Sequence, residues 1–102
     1  MGLSVVLENE RGSPIQIVID PKNYLHRLLP SVDDQSYQCL RFIDWYGYTV
    51  FNHLQMPTFL EEWQRLKDKT NSEEEIQLLL KIENLAFDCQ SEQHEYLRFI
   101  GD

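Results

Sequence analysis

Hydrophobic and polar residues alternate in four segments of this chain, which predicts four β-strands. Residues 3–8 and 14–19 alternate with a period of two and are rich in β-branched side chains. The charged segment between them contains glycine and proline, which is typical of a hairpin loop. Residues 37–44 and 94–100 show the same alternation and share the sequence LRFI. We therefore predict that these four segments form one sheet.

Three further segments have the spacing of amphipathic helices. Residues 21–29 follow an aspartate and begin with proline, a favourable helix start, and residues 57–69 carry one apolar stripe. The third helix, residues 72–90, opens with Ser72 and Glu75 in the positions of a capping box. Its apolar residues cover more than half of the helix circumference, so we expect it to be central or to form an oligomer interface.

The order of these elements, β-β-α-β-α-α-β, predicts an α+β fold. We expect one acidic domain over residues 1–102, with a mainly antiparallel sheet of about four strands packed against two to three helices. The alternation and the apolar stripes also predict a core. Its expected members are Phe42, Phe59, Trp63, Leu79, Ile82 and Phe99.

The charge of the chain limits the kinds of partner it can have. Seventeen acidic residues against 9 basic ones give a net charge of -8. This balance disfavours nucleic acid and anionic membranes, because both require clustered basic side chains. It permits a basic protein as partner. The sequence contains neither a signal-peptide pattern nor a membrane-length apolar stretch, and we expect a cytoplasmic protein.

The sequence contains no motif that names a reaction. The three histidines have no neighbours at metal-binding spacing, and no phosphate-binding or dinucleotide-binding glycine motif is present. Cys39 and Cys89 lie in apolar patterns and are predicted to be buried thiols. We therefore expect no catalytic residue, cofactor or metal ion.

A partner-binding site is predicted at the aromatic turn, residues 44–48. Asp44, Trp45, Tyr46 and Tyr48 surround a glycine where the chain must reverse direction, and such turns lie at the surface. Aromatic side chains at the surface are common binding hot spots. The alternative is a small enzyme or ligand-binding domain with a pocket near Asp44, Trp45, Tyr46 and His53.

A secondary site is predicted on one face of the sheet. If residues 37–44 and 94–100 are both strands, Tyr37, Arg41, Tyr96 and Arg98 share the face that points away from the helices. Tyrosine and arginine are enriched in protein interfaces. The same strands would place Cys39, Ile43 and Ile100 on this face.

The leading functional hypothesis is a non-enzymatic protein-binding domain. In general character this short acidic chain with clustered aromatic residues is similar to bacterial toxin-immunity proteins and other small protein inhibitors. The resemblance implies a basic partner such as a toxin. A structural homodimer is the remaining alternative, and its basis is the wide apolar face of residues 72–90.

Overall fold

The chain folds around one four-stranded antiparallel sheet, in the predicted order β-β-α-β-α-α-β. The structure is a computed structural model that describes residues 2–101. The elements are β1 (Ser4–Asn9), β2 (Pro14–Ile19), α1 (Leu25–Leu28), β3 (Tyr48–Asn52), α2 (Met56–Lys67), α3 (Glu73–Ser91) and β4 (Glu95–Ile100). Two short 3-10 turns cover Leu40–Phe42 and His53–Gln55. The predicted α+β class is confirmed.

The strands lie in the order β2-β1-β4-β3, so β2 and β3 form the two edges of the sheet. All three pairings are antiparallel. Val5 of β1 is paired with Val18 of β2 and with Phe99 of β4. Because paired residues share a face, these side chains all point towards the helices.

The core fills the space between this face and helices α2 and α3. The rings of Phe59 and Trp63 stack with their centroids 5.2 Å apart, and Phe99 lies 6.0 Å from Phe59. The indole Nε1 of Trp63 donates a hydrogen bond of 2.9 Å to the carbonyl of Leu79, which joins α2 to α3. Five of the six predicted core residues are fully buried: Phe59, Trp63, Leu79, Ile82 and Phe99.

The prediction of a strand at residues 37–44 is wrong, and the third strand is Tyr48–Asn52. The reason is a buried carboxylate on α2. Glu62 accepts hydrogen bonds from the backbone N–H groups of Gln38, Cys39 and Leu40. Three consecutive N–H groups that point at one carboxylate cannot also alternate between two neighbouring strands. This segment is therefore a loop that ends in a 3-10 turn.

Phe42 is the one predicted core residue that is wrong, because it is 53% exposed. In the 3-10 turn, Leu40 and Ile43 face the core instead, at the i, i+3 spacing of a helical turn. The guanidinium of Arg41 lies 4.3 Å from the centroid of the Phe42 ring, at the surface.

The predicted starts of α2 and α3 are confirmed, whereas that of the first helix is wrong, because α1 begins at Leu25 and not at residue 21. The hydroxyl of Ser72 accepts a hydrogen bond of 3.2 Å from the N–H of Glu75 at the start of α3. Asp20 is buried and accepts from the N–H groups of Tyr24 and Leu25. It thus caps α1 from several residues upstream, and α1 is shorter than predicted.

Candidate functional site

The face of the sheet that points away from the helices is open. We call it the outer sheet face. Its residues follow from the strand register and are Ser4, Val6, Glu8, Ile17, Ile19, Tyr48, Val50, Asn52, Tyr96, Arg98 and Ile100. Helices α2 and α3 pack against the opposite face, where Phe99 contacts Phe59 and Trp63 of α2.

Large apolar side chains are exposed on the outer sheet face. Ile17 is 57% exposed, Ile19 61%, Tyr48 69% and Val50 45%. An ordinary half-solvated antiparallel sheet presents mainly polar residues to water. Ile17 and Ile19 adjoin each other on β2, and Tyr48 and Val50 adjoin each other on β3 at the opposite edge, so the face carries two apolar patches. Such patches mark an interaction site more often than isolated exposed residues do.

One ion pair lies in the middle of the outer sheet face. The Nη2 atom of Arg98 is 3.0 Å from Oε1 of Glu8, and the Nε atom of Arg98 donates to the same oxygen at 3.1 Å. The Glu8 side chain is only 8% exposed, so Arg98 compensates a nearly buried charge. The Arg98 guanidinium also lies 5.2 Å from the centroid of the Tyr48 ring. The centre of the face is therefore electrically neutral and held in place by contacts between β1, β3 and β4.

The structure brings together parts of both predicted sites. Tyr96 and Arg98 lie on the outer sheet face, and Tyr48 from the aromatic turn joins them there. Tyr37 and Arg41 do not, because their segment is not a strand. Tyr37 is buried, with the Arg65 guanidinium 4.1 Å from its ring centroid on the α2 side, and Arg41 donates to the carbonyl of Val32. The prediction that these two residues share a sheet face with Tyr96 and Arg98 is wrong.

The aromatic turn is less exposed than the sequence suggests. Trp45 is half-buried against the core, and its ring lies edge-on to that of His26, 5.3 Å between centroids. Asp44 accepts from the N–H of Tyr46 at 2.9 Å, which makes its carboxylate part of the turn. Tyr46, 86% exposed, and Tyr48 are the two rings of this turn that are open to solvent.

The alternative pocket near Asp44, Trp45, Tyr46 and His53 is not assembled. Asp44 precedes β3 and His53 follows it, so the two lie at opposite ends of this strand. A strand of five residues spans about 17 Å, which is too far for both side chains to act on one small ligand.

An acidic cleft lies between α3 and the inner side of the sheet, near the start of β2. It has a volume of about 260 Å³ and is lined by Leu7, Ile15, Gln16, Asp88, Ser91, Glu92 and Glu95. Burial raises the pKa of Glu95, and the charges of Glu92 and Asp88 raise it further. None of the lining residues in the described part of the chain is basic.

Sequence reasoning missed this cleft, although a signal for it was present. Asp88 and Glu92 are four residues apart at the C-terminal end of α3, and the last turn of that helix has no basic residue. Like charges at this spacing repel, and negative charge at a helix C-terminus opposes the helix dipole. Two unfavourable choices in one turn indicate a constraint other than helix stability.

A second cleft, which we call the apolar cleft, lies at the other end of β2. It has a volume of about 340 Å³ and is lined by Ile19, Asp20, Pro21, Lys22 and Tyr24 on one side. Residues of α3, among them Leu78 and Lys81, line the opposite side. Both clefts therefore open between the edge strand β2 and α3.

Two kinds of feature are absent from the described residues. Among residues 2–101, no group of three or more His, Cys, Asp or Glu side chains is arranged to hold a metal ion. No helix in the same range is long and apolar enough to cross a membrane. No protein-family model, curated protein sequence or solved structure matches this chain.

Proposed function

We propose that this chain is a cytoplasmic, non-enzymatic protein-binding domain whose outer sheet face contacts a basic protein. The observation that carries the proposal is the exposure of two apolar pairs on that face, Ile17 and Ile19 on β2 and Tyr48 and Val50 on β3, at the two edges of the sheet. Aliphatic side chains supply no catalytic group, whereas their burial against a partner is favourable at about 25 cal/mol per Å². An immunity-type inhibitor of a basic toxin is one protein of this kind.

The polar group at the centre of the outer sheet face suits protein binding. Arg98 and Tyr48 are residue types that dominate interface energetics, and both are held in position before a partner arrives. Preorganised side chains lose less conformational entropy on binding. Glu8 already neutralises Arg98, so a partner does not have to supply a counter-charge there.

The charge of the whole chain favours a basic partner. At a net charge of -8, a positively charged protein approaches faster than a neutral one, and this advantage falls as salt is added. The three carboxylates of the acidic cleft lie next to β2 on the helix side of the sheet, so the negative potential borders the edge strand that also carries Ile17 and Ile19.

The test compares an exposed aliphatic residue on the outer sheet face with an even more exposed aliphatic residue elsewhere. Proteins captured from the native host are identified, and the purified partner is titrated against Ile17→Asp and Leu54→Asp variants that remain folded. Leu54 is 75% exposed and lies in the 3-10 turn before α2, away from this face. We expect Ile17→Asp to weaken binding more than tenfold and Leu54→Asp to leave it unchanged. Equal effects of the two variants, or none, would refute the assignment.

A homodimer is the second candidate, because part of the wide apolar face of α3 stays at the surface. Ile76 is 38% exposed, Leu80 36% and Phe87 47%, and their spacing places them on one stripe of the helix. Light scattering at high micromolar concentration tests it. A dimer mass that reverts to a monomer mass on Leu80→Glu supports this candidate, and a monomer mass of 12.2 kDa for the unaltered chain removes it.

A further inference from the structure

The outer sheet face alone is too small for a standard protein interface. Four strands of about five residues cover roughly 20 by 17 Å, on the order of 300–350 Å² in projection. Stable complexes bury about 800 Å² on each partner. A partner that docks on this face must therefore also contact a neighbouring surface, and the free edge of β2 is continuous with it.

The edge strand β2 is poorly protected against pairing with another strand. Within the described residues, only β1 pairs with it, and its sequence PIQIVI contains no charged residue. Every side chain from Pro14 to Ile19 is exposed except Val18, which is half-buried. Edge strands usually carry charges that discourage pairing. Here Pro14 and the bulge opposite Leu7 and Glu8 protect only the beginning of the strand.

The two clefts lie where the side chains of an added strand would point. In a strand paired to β2, alternate residues face the side of the sheet on which α3 lies. The acidic cleft includes Gln16 and the apolar cleft includes Asp20, which alternate with the outer-face residues and share the helix-facing side with Val18. These positions are about 13 Å apart along β2, so two side chains four residues apart in the added strand reach one cleft each.

The charges along α3 decide which occupant fits. Its flank towards β2 carries Glu73, Glu74, Asp88 and Glu92 against Lys81, and within residues 2–101 the only other cation lining the two clefts is Lys22, which lies at the apolar cleft. A second copy paired through β2 would bring two such flanks together, and their like charges would repel. A strand with a lysine or arginine in the acidic cleft would instead relieve the mutual repulsion of Asp88, Glu92 and Glu95, which lie together without a cation among the described residues.

We infer that the free edge of β2 takes up an extended basic segment of the partner as a fifth strand. One inward basic side chain of that segment enters the acidic cleft, and an inward apolar side chain four residues away enters the apolar cleft. Its outward side chains extend the apolar row that Ile17 and Ile19 begin. This inference rests on the proposed protein-binding function and specifies the partner segment that the site accepts.

The test uses a capped synthetic peptide, Thr-Lys-Val-Thr-Val-Leu-Thr, and its reversed sequence, so that both strand directions are tried. The lysine, the central threonine and the leucine occupy inward positions. One control peptide has glutamate in place of lysine, and a second carries N-methyl groups on alternate amides, which block strand pairing. Binding is followed by amide chemical shifts of the labelled protein and by titration at low and high salt.

We expect at least one lysine peptide to shift the β2 amides and to bind tenfold or more tightly than both control peptides. Binding should weaken in the Asp88→Asn/Glu92→Gln variant and stay unchanged in Glu61→Gln, an exposed position on α2. No shift with either lysine peptide, equal binding of the glutamate peptide, or a β2-mediated dimer of the chain itself would overturn the inference.

The two proposals fail in different ways. Suppose that Ile17→Asp weakens binding of the native partner, while the Asp88→Asn/Glu92→Gln variant binds it with unchanged affinity and the lysine peptides do not displace it. The strand inference is then wrong and the protein-binding function stands. If Ile17→Asp has no effect on the native partner, the assignment of the outer sheet face is wrong. Peptide binding at β2 would still be measured independently of that result.

Discussion

The buried carboxylate of Glu62 provides the sharpest test of the fold, because it replaces the strand that the alternation at residues 37–44 predicts. Glu62 is 2% exposed and accepts from three consecutive backbone N–H groups, those of Gln38, Cys39 and Leu40. The change Glu62→Ala removes all three acceptors at once. No other acceptor is bonded to these groups, so the loop would be attached to α2 mainly through Arg65, which donates to the Ser36 carbonyl and lies over the Tyr37 ring.

The loss of unfolding free energy in Glu62→Ala depends on how many of the three N–H groups water can reach. Gln38 is exposed, so a water molecule can replace the carboxylate there, whereas Cys39 and Leu40 are buried. A buried N–H left without a partner costs about 1–3 kcal/mol, which gives about 2–6 kcal/mol for the two. Removing a buried charge recovers part of this, and we expect a net loss of about 3 kcal/mol. For a domain with a total stability of about 5–15 kcal/mol, such a loss is large.

Urea unfolding measures this loss directly, and Glu61→Ala is the matched control. Glu61 is the preceding residue on the same helix and is exposed, so its removal should change the free energy of unfolding by less than about 0.5 kcal/mol. Glu62→Gln keeps one acceptor oxygen, so its loss of unfolding free energy should lie between those of Glu62→Ala and Glu61→Ala. The Cys39 thiol, buried in the unaltered protein, should react faster with a thiol reagent in Glu62→Ala. If Glu62→Ala and Glu61→Ala unfold at the same urea concentration, the carboxylate does not hold this loop.

Three further predictions concern packing and pH. Phe59→Ala should cost about 3–5 kcal/mol in urea unfolding, because its ring is fully buried, whereas Phe42→Ala should cost less than about 1 kcal/mol; the reverse order would contradict the placement of the 3-10 turn. Hydrogen bonds from Arg27 lower the pKa of Glu75 from its ordinary 4.5. The stability from this pair is therefore present above that value and lost as the pH falls through the lower, folded pKa, so Arg27→Ala should flatten the acid side of the thermal stability curve. The pKa of Glu95 is raised, so its ionisation destabilises the fold as the pH rises, and Glu95→Gln should melt at a higher temperature at pH 7 and show less of this gain at acidic pH.

Local periodicity predicts a strand or helix correctly where neighbouring elements bury the periodic apolar residues. It fails for residues 37–44, because a residue distant in sequence determines their conformation. The alternation of β1, β2 and β4 and the stripes of α2 and α3 correspond to real buried faces. Residues 37–44 alternate equally well, yet Glu62, more than twenty residues later, takes their N–H groups. No pattern within the segment reveals that contact. The true strand β3 was obscured because Phe51 and Leu54 also fit a helical turn.

The candidate site depends on strand order, which the sequence does not specify. Ile17 and Ile19 have the same alternation as the residues of a buried strand, but β2 lies at the edge of the sheet and exposes them. Tyr96 and Arg98 were predicted on the face away from the helices and lie there. Their neighbours across the sheet are Glu8 and Val50, not Tyr37 and Arg41, because a different strand pairs with β4.

The acidic residues include two groups with different roles, one bonded within the fold and one in the acidic cleft. Several carboxylates are used within the fold, as helix caps, as acceptors for backbone N–H groups or in ion pairs: Glu8, Asp20, Glu62, Glu75 and Glu83. These groups are largely buried and contribute little to the field that an approaching protein meets. Asp88, Glu92 and Glu95 take part in none of the ion pairs of residues 2–101 and converge beside the uncharged edge of β2. Negative charge next to an open apolar strand edge disfavours self-association and favours a cationic strand, so the same cluster can select the partner as well as attract it.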